Sequence, residues 1–246
     1  MENEILILIP IFFLIASIYA SAGFGGGSSY LAVLALFPIP FTTIRMTALL
    51  CNIAVVAGSV YLFHRKKYLK LKRIAPLILL SIPMAYWGGR FKLDERVFFL
   101  ILSAVLILAS VLMIVQSAHS EKKKLPLYSN GLIGGGIGFL SGMVGIGGGI
   151  FLSPVLYFSK WAEAKVIAAT TALFILVNSI AGLVGQIVTH GLQVEWRPTL
   201  FLLLSVFIGG QIGSRLSINK FNPVLLKKIT GLLILIIGVR IFVQHF

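Results

Sequence analysis

Long apolar runs separated by short polar loops dominate the pattern of this chain. A run of about 20 apolar residues can cross a bilayer as a helix, whereas a run of roughly 10 to 14 is more typical of a re-entrant segment. Each half of the chain begins with two shorter runs on either side of a glycine loop and continues with three longer ones. The apolar segments lie at 5–22, 28–38, 43–63, 74–90, 97–116, 128–143, 150–158, 166–188, 199–214 and 224–243.

The two halves match in residues as well as in hydropathy. The matched pairs are GFGGG at 23–27 with GIGGG at 145–149, TAL at 47–49 with TAL at 171–173, and GGR at 88–90 with GSR at 213–215. Internal repeats of this kind are typical of transporter folds. We therefore expect a first repeat at 1–116, a cytoplasmic linker at 117–127 and a second repeat at 128–246.

The distribution of basic residues indicates that the halves are inverted. The loop at 64–73 carries six Lys and Arg residues, whereas its counterpart at 189–197 carries one. Lys and Arg mark cytoplasmic loops, so these two loops should lie on opposite sides of the membrane. The prediction is an all-α polytopic membrane protein of two inverted repeats, each a glycine-broken re-entrant helical hairpin plus three transmembrane helices. Both termini should lie outside, and the membrane should be a prokaryotic plasma membrane.

Composition excludes a soluble protein. The chain is 58% hydrophobic and 11% charged, against about half and about 25% for soluble domains. A net charge of +14 does not indicate a nucleic-acid partner, because the basic residues cluster in short loops between apolar runs. The partner is instead the lipid bilayer. A single cysteine, Cys51, excludes an internal disulfide and a cysteine-based zinc cluster and favours a packing role. No cofactor or metal is expected.

The glycine loops predict an anion site. Neither loop has the GK[ST] of a nucleotide-binding P-loop or a nearby acid. Three consecutive glycines would cost a helix about 1 kcal/mol each relative to alanine, so they mark a break. A helix that begins after such a break aims free N–H groups and its positive dipole end at it. The loop residues predicted to bind substrate are Ser21, Gly23, Gly25, Gly26, Gly27 and Ser28 in the first half and Gly145, Gly147, Gly148 and Gly149 in the second.

The helix after each loop carries polar residues on one face. In the second half they recur at helical spacings of three, four and seven residues. Such residues line a substrate pathway or form hydrogen bonds between helices, and both interpretations remain open. In the first half either Cys51 or Asn52 fits the face. The candidates for substrate binding are Thr47, Asn52, Thr170, Thr171 and Asn178.

Three arginines near the ends of apolar runs are a further group of candidates. Arg90 and Arg215 occupy equivalent places in the repeat. They are either interfacial arginines that reach for water or anion-attracting residues near opposite mouths, and the second role makes them candidate substrate-binding residues. Arg45 has no counterpart, and we expect it to be an interfacial anchor.

The motif pattern resembles the TauE/SafE sulfite exporter family. The resemblance rests on SAGFGGGSSYL and SGMVGIGGGIFLSPVL, each followed by a threonine-bearing helix (RMTALLCN and AATTALFILVNSIAG) and then by GGRFK or GSRLS. It covers nearly the whole chain. The resemblance implies a permease for small sulfur-containing anions such as sulfite or organosulfonates, and similar permeases suggest a homodimer.

The positions of the acids complete the functional prediction. All seven lie in loops or at helix ends, whereas proton relays usually use intramembrane acids or histidines. We expect export of a small anion by alternating access, driven by the membrane potential. The alternatives are an anion channel, or a permease for thiosulfate, sulfide or a carboxylate that is coupled to protons. Enzymatic activity is not expected, because no mid-span basic partner exists for Ser28, Ser29 or Ser141.

Overall fold

The computed structural model describes residues 4–21, 23–115, 127–159, 161–216 and 223–245. Within them the chain forms helices and no strands, which confirms the all-α prediction, and every predicted apolar segment forms a helix. Most of the predicted linker, residues 117–126, lies outside the described residues. The helices are α1 (Ile5–Ser21), α2 (Gly27–Leu34), α3 (Phe41–Arg65), α4 (Leu71–Arg90), α5 (Glu95–Val115), α6 (Leu127–Val144), α7 (Gly149–Phe158), α8 (Ala164–His190), α9 (Trp196–Leu216) and α10 (Pro223–His245).

The outer surface of the helix bundle is suited to lipid. Among the described residues, three helices are long and apolar enough to cross a membrane: α3, the part of α5 from Glu95 to Leu112, and α8. Large apolar side chains such as Leu79, Trp87 and Phe207 are exposed on the outward faces. A soluble protein could not leave so much apolar surface in water. The chain is a polytopic integral membrane protein.

Glycines let the helices pack with their backbones in contact. A Cβ atom on Gly134 or Gly138 of α6 would collide with the backbone of α4 at Leu77 or Ser81. The Gly-x-x-x-Gly pair of α9 packs in the same way on α1. Close approach of this kind is the usual role of small residues in membrane helices. The Gly-x-x-x-Gly spacings of Gly134 and Gly138 and of Gly209 and Gly213 predict such packing from the sequence, and the structure confirms it.

The two halves of the chain interlock. The fourth helix of the first half, α4, packs on α6 of the second half, and the equivalent helix α9 packs on α1 of the first half. The central helices α3 and α8 are also equivalents, and they lie antiparallel. Leu49 of α3 lies near Gly182 of α8, while Phe63 at the other end of α3 packs on Ala169.

The last helices of the two halves repeat this relationship. Near one end of the pair, the Phe99 ring of α5 stacks on the His245 ring of α10, with their centroids 4.0 Å apart. Two turns further along α5, Leu106 packs against Gly238 of α10. Ascending numbers on α5 therefore meet descending numbers on α10. The equivalent helices α3 and α8 are thus antiparallel, and so are the equivalent helices α5 and α10.

The α4–α6 contact gives a direct test of backbone packing. We expect Gly138→Leu to force α4 and α6 apart, because the new side chain would meet the Ser81 backbone. Overpacking of this kind destabilises by about 1–3 kcal/mol or more. The measurement is the melting temperature of the detergent-purified protein.

Gly136→Leu on the same helix is the matched control. No atom lies within 4 Å of a Cβ built at Gly136, so its leucine should face lipid and leave the melting temperature nearly unchanged. Equal destabilisation of the two variants would contradict the packing.

Candidate functional site

Both glycine loops end one helix with a matching hydrogen bond and begin another from a left-handed glycine. The Phe24 N–H donates to the Tyr19 carbonyl at 2.9 Å, and the equivalent Ile146 N–H donates to the Ser141 carbonyl at 3.2 Å. These are the six-to-one bonds of a glycine-terminated helix. Gly26 and Gly148 then take left-handed conformations, with φ of 90° and 80°, as the N-caps of α2 and α7. Residues with a Cβ rarely adopt this conformation.

Asn52 of α3 joins the two loops. Its Nδ2 donates a hydrogen bond to the carbonyl oxygen of Ile146 in the second loop, at 2.9 Å. Gly25 and Gly27 of the first loop pack so closely on its amide that a Cβ at either position would collide with it. Asn52 is fully buried. Of the two residues left open by the sequence, the structure brings Asn52 to the loops and places Cys51 in the apolar core.

A small cavity lies where the loops meet. It has about 10 Å³ of room, enough for about one water molecule. Its walls include the first residues of both short helices. The lining residues are Tyr19, Phe24, Gly25, Gly26, Gly27, Ser28, Asn52, Ile146, Gly149, Ile150 and Ile175. The N-terminal ends of α2 and α7 therefore face one small cavity.

The free N–H groups of these helix ends favour negative charge. Within the described residues, the backbone N–H groups of Gly27, Ser28, Gly149 and Ile150 make no hydrogen bond. The helices have no side-chain caps at these ends either. Free N–H groups together with the positive end of the helix dipole make an anion site. Two such ends at one cavity therefore give it a local preference for an anion.

Hydroxyl groups complete the wall on the side of the first loop. Ser28 lines the cavity, and its neighbour Ser29 shares a hydrogen bond of 2.6 Å with the hydroxyl of Tyr19. Sequence analysis missed Tyr19, although it is the one tyrosine of α1 and lies one turn before the loop. The predicted residue Ser21 instead donates to the Ile18 carbonyl of its own helix.

The polar face of α8 contributes less than its spacing suggests. Thr170 donates to the Val166 carbonyl and Asn178 to the Phe174 carbonyl, both within the helix. The Thr171 hydroxyl and the Asn178 carbonyl oxygen have no partner among the described residues, and the same is true of Thr47 on α3. All of these side chains are buried. Thr171 comes nearest to the site, since its methyl group contacts Gly149.

The remaining loop glycines hold the loops against the central helices. Gly147 packs between Asn52 and Ser179, and Gly148 packs on Phe174 and Ser141. Gly23 lies against Ala168 of α8, and the equivalent Gly145 lies against Arg45 of α3. The two loops thus contact the central helix of the opposite half in matching ways.

The structure separates the three arginines. Arg90 and Arg215 are exposed at the ends of α4 and α9, away from the cavity, and Arg90 lies over the rings of Tyr86 and Trp87. Their role near the mouths stays a prediction. Arg45 was expected to be an interfacial anchor, and this is wrong: its exposed fraction is 0%. The helical spacing alone could not show this, because burial depends on the second glycine loop and on Phe98 of α5, which lie against Arg45.

A second, larger cavity lies on the surface where α3 meets α4 and α7 meets α8. It has a volume of about 420 Å³ and carries four basic side chains against one acid, Glu163. Its basic residues are Lys66, Lys67, Lys70 and Arg73. No group of His, Cys, Asp or Glu within the described residues could hold a metal ion.

Comparison with known proteins points to one family. Residues 8–241 match the family described as "Sulfite exporter TauE/SafE". A "Probable membrane transporter protein" of Sinorhizobium fredii is 32% identical over 247 residues, which cover 98% of this chain and 99% of the relative. A protein of the same description from Methanocaldococcus jannaschii is 24% identical over 95% of this chain and 96% of its own length. No solved structure matches the chain.

The effect of close packing around Gly147 on stability can be measured separately from the effect of its positive φ. We expect Gly147→Ala to destabilise the protein more than Gly191→Ala. Both glycines have positive φ, 83° and 69°, and Gly191, with ψ of −178°, lies in a region that glycine alone ordinarily adopts. Both variants therefore carry backbone strain of about 1–3 kcal/mol.

Only Gly147 also packs on Asn52 and Ser179, whereas the space around Gly191 is open. The measurement is the melting temperature, at about 2–4 °C per kcal/mol for a chain of this size. Equal losses in the two variants would contradict the packed meeting point of the loops.

Proposed function

Since the chain belongs to the TauE/SafE sulfite exporter family and is a membrane transporter, we propose that it exports small sulfur-containing anions of the sulfite or organosulfonate class. Transport proceeds by alternating access and is driven by the membrane potential. The observation that carries the proposal is the shared cavity of the α2 and α7 N-termini. The family supplies the sulfur chemistry, and the cavity supplies the preference for negative charge.

The direction of the equivalent helices supports inverted halves. A two-fold axis that relates α3 to an antiparallel α8, and α5 to an antiparallel α10, runs across these helices rather than along them. If the helices cross the bilayer, such an axis lies in the membrane plane. The meeting point of the two glycine loops then lies near mid-depth, where discontinuous helices of transporters bind their substrates.

The tight fit of the loops supports a carrier. With about 10 Å³ of room, the cavity is too small to admit an oxyanion in this conformation. Substrate can enter only if the loops separate on one side or the other. Since each loop packs on the central helix of the opposite half, relative movement of the halves would open one side at a time. A channel would instead need a continuous path in a single conformation.

The positions of the acidic residues support the membrane potential, rather than a proton gradient, as the driving force. The described acids Glu4, Asp94, Glu95, Glu163 and Glu195 lie in loops or at the starts of helices, while Glu2 and Glu121 lie outside the described residues. An intramembrane acid for proton coupling is therefore not found within the described residues. A potential of 100 mV, negative inside, drives each negative charge outward with about 2.3 kcal/mol.

The basic surface cavity fits a cytoplasmic face. Its lysines belong to the loop at 64–73, whose six Lys and Arg residues predict a cytoplasmic location. With this orientation both termini lie outside, in a prokaryotic plasma membrane. A cluster of positive charge at this cytoplasmic face would concentrate anions there before export.

The proposal is tested by flux in proteoliposomes. Vesicles loaded with sulfite should release it faster when a potassium–valinomycin potential makes the interior negative, and release should saturate with sulfite concentration. Chloride-loaded vesicles are the control for leakage. Release that requires a pH gradient and ignores the potential would contradict the driving force, and single-channel currents would contradict the carrier.

The charge preference of the cavity is tested at Asn52. Asn52→Asp places a carboxylate between the two helix ends with little change in shape, so it should repel the substrate and lower sulfite flux at least about tenfold. Asn52→Ala removes the hydrogen bond to Ile146 without adding charge and should lower flux less. If Asn52→Asp transports as well as Asn52→Ala, the anion passes elsewhere.

A further inference from the structure

Arg45 is a positive charge enclosed within the protein. It lies in the second turn of α3, where its backbone packs on Gly145 of the second glycine loop. The side chain is one of the largest that are fully buried, with an exposed fraction of 0%. A buried charge is costly unless it is paired. In membrane helices such a residue marks a functional site more often than a structural one.

The contacts of Arg45 leave most of its donors free. Its Nη2 donates to the Gly142 carbonyl at 3.5 Å, the outer limit for a hydrogen bond, and its guanidinium lies 5.9 Å from the centre of the Phe98 ring. Its Nε and Nη1 have no hydrogen-bond partner among the described residues. Nor does a carboxylate within the described part of the chain pair with it.

A structural role at the end of α6 does not explain this arrangement. Gly142 lies in the last turn of α6, where a cation would stabilise the negative end of the helix dipole. However, the Gly142 carbonyl already accepts a shorter hydrogen bond, of 3.2 Å, from Gln186. A charged side chain with five N–H donors is not needed for one carbonyl that a neutral amide already serves.

Other basic groups lie on the same side of the loops. The His190 ring, at the end of α8, lies within electrostatic range of both Arg45 and Lys92. Lys92 is exposed, His190 is half-buried and Arg45 is fully buried. Arg45 is the deepest of the three and packs on the second glycine loop. Arg45 and Lys92 are the permanent cations of this group, and both attract anions.

The equivalent place in the other half has no charge. Ala168 of α8 contacts Gly23 as Arg45 of α3 contacts Gly145, and the residue that the repeat matches to Arg45 is the adjacent Ala169. The scaffold itself therefore does not require an arginine at this contact, since alanine serves in the matching position. The positive charge belongs to one side of an otherwise repeated arrangement.

We propose that Arg45 binds the transported anion on one side of the glycine loops and selects for oxyanions. This rests on the proposed function and names the substrate class of the same pathway. A guanidinium presents a planar fork that matches two oxygens of one oxyanion, such as sulfite, a sulfonate or a carboxylate. Sulfide and halides, which offer no second oxygen, gain less from it.

Arg45 is placed to pass the anion to the cavity. Asn52 follows it by seven residues on the same helix, which is two turns along nearly the same face, or about 10.5 Å. The anion first pairs with the guanidinium and then exchanges it for the N–H groups of α2 and α7. Because only one side of the loops carries this charge, the affinity for the anion differs between the two open states.

The test compares binding of two anions to three proteins. Purified wild type, Arg45→Gln and Arg65→Gln are titrated with sodium sulfite and with sodium methanesulfonate in alkaline buffer, and binding is followed by thermal shift. Arg65 is the matched control, an exposed arginine on the same helix. Sulfite is doubly charged in this buffer, and methanesulfonate is singly charged.

The expected result is a loss that depends on the charge of the anion. Arg45→Gln should weaken sulfite binding at least about tenfold, the loss of one charge-assisted hydrogen bond, and should weaken methanesulfonate binding less. Without ligand its melting temperature should equal or exceed that of wild type, because a costly buried charge is gone. Arg65→Gln should bind both anions within about twofold of wild type.

Two outcomes would overturn the role of Arg45. If Arg45→Gln binds both anions as wild type does, or melts well below wild type without ligand, the arginine is structural, while transport by the wild type stands. If the wild type binds neither anion and shows no flux, the proposed function itself fails, and the role of Arg45 fails with it.

Discussion

Backbone groups that leave a helix inside a bilayer must find partners, because no water is there to bind them. One glycine loop separates α1 from α2 and the other separates α6 from α7, so such groups are exposed at two places in this chain. The structure resolves the problem by placing the interruptions against each other and against Asn52, whose amide donates to the Ile146 carbonyl. What stays unpaired among the described loop residues is a set of N–H groups at the starts of α2 and α7. Those groups give the anion preference on which the proposed transport depends.

The rest of the architecture serves this meeting point. Backbone-to-backbone packing of α4 on α6 and of α9 on α1 fixes the helices that lead into the loops. The antiparallel central helices α3 and α8 supply the walls, so each loop rests on the opposite half of the chain. Movement of one half relative to the other must therefore change the contacts on both sides of the site. The proposed carrier mechanism depends on these contacts between each loop and the central helix of the opposite half.

Hydropathy and glycine content predicted much of this fold. The apolar runs gave each helix to within a few residues, and the cost of consecutive glycines placed both breaks correctly. The packing of Gly134 and Gly138 also followed from their spacing. In contrast, the sequence could not tell Cys51 from Asn52 or show Arg45 to be buried, because both depend on which distant parts of the chain pack against each face of α3. Tyr19 was missed for the same reason, since its hydroxyl reaches Ser29 only across the fold of the loop.

The central claim is that an anion binds between the N-termini of α2 and α7. The most direct measurement is the anomalous scattering of selenium in crystals grown in the presence of selenite, the heavier analogue of sulfite. The account predicts a selenium peak within hydrogen-bond reach of the N–H groups of Gly27 and Gly149, beside Asn52. A peak confined to the basic surface cavity around Lys70 and Arg73, with none between the two helix ends, would contradict it.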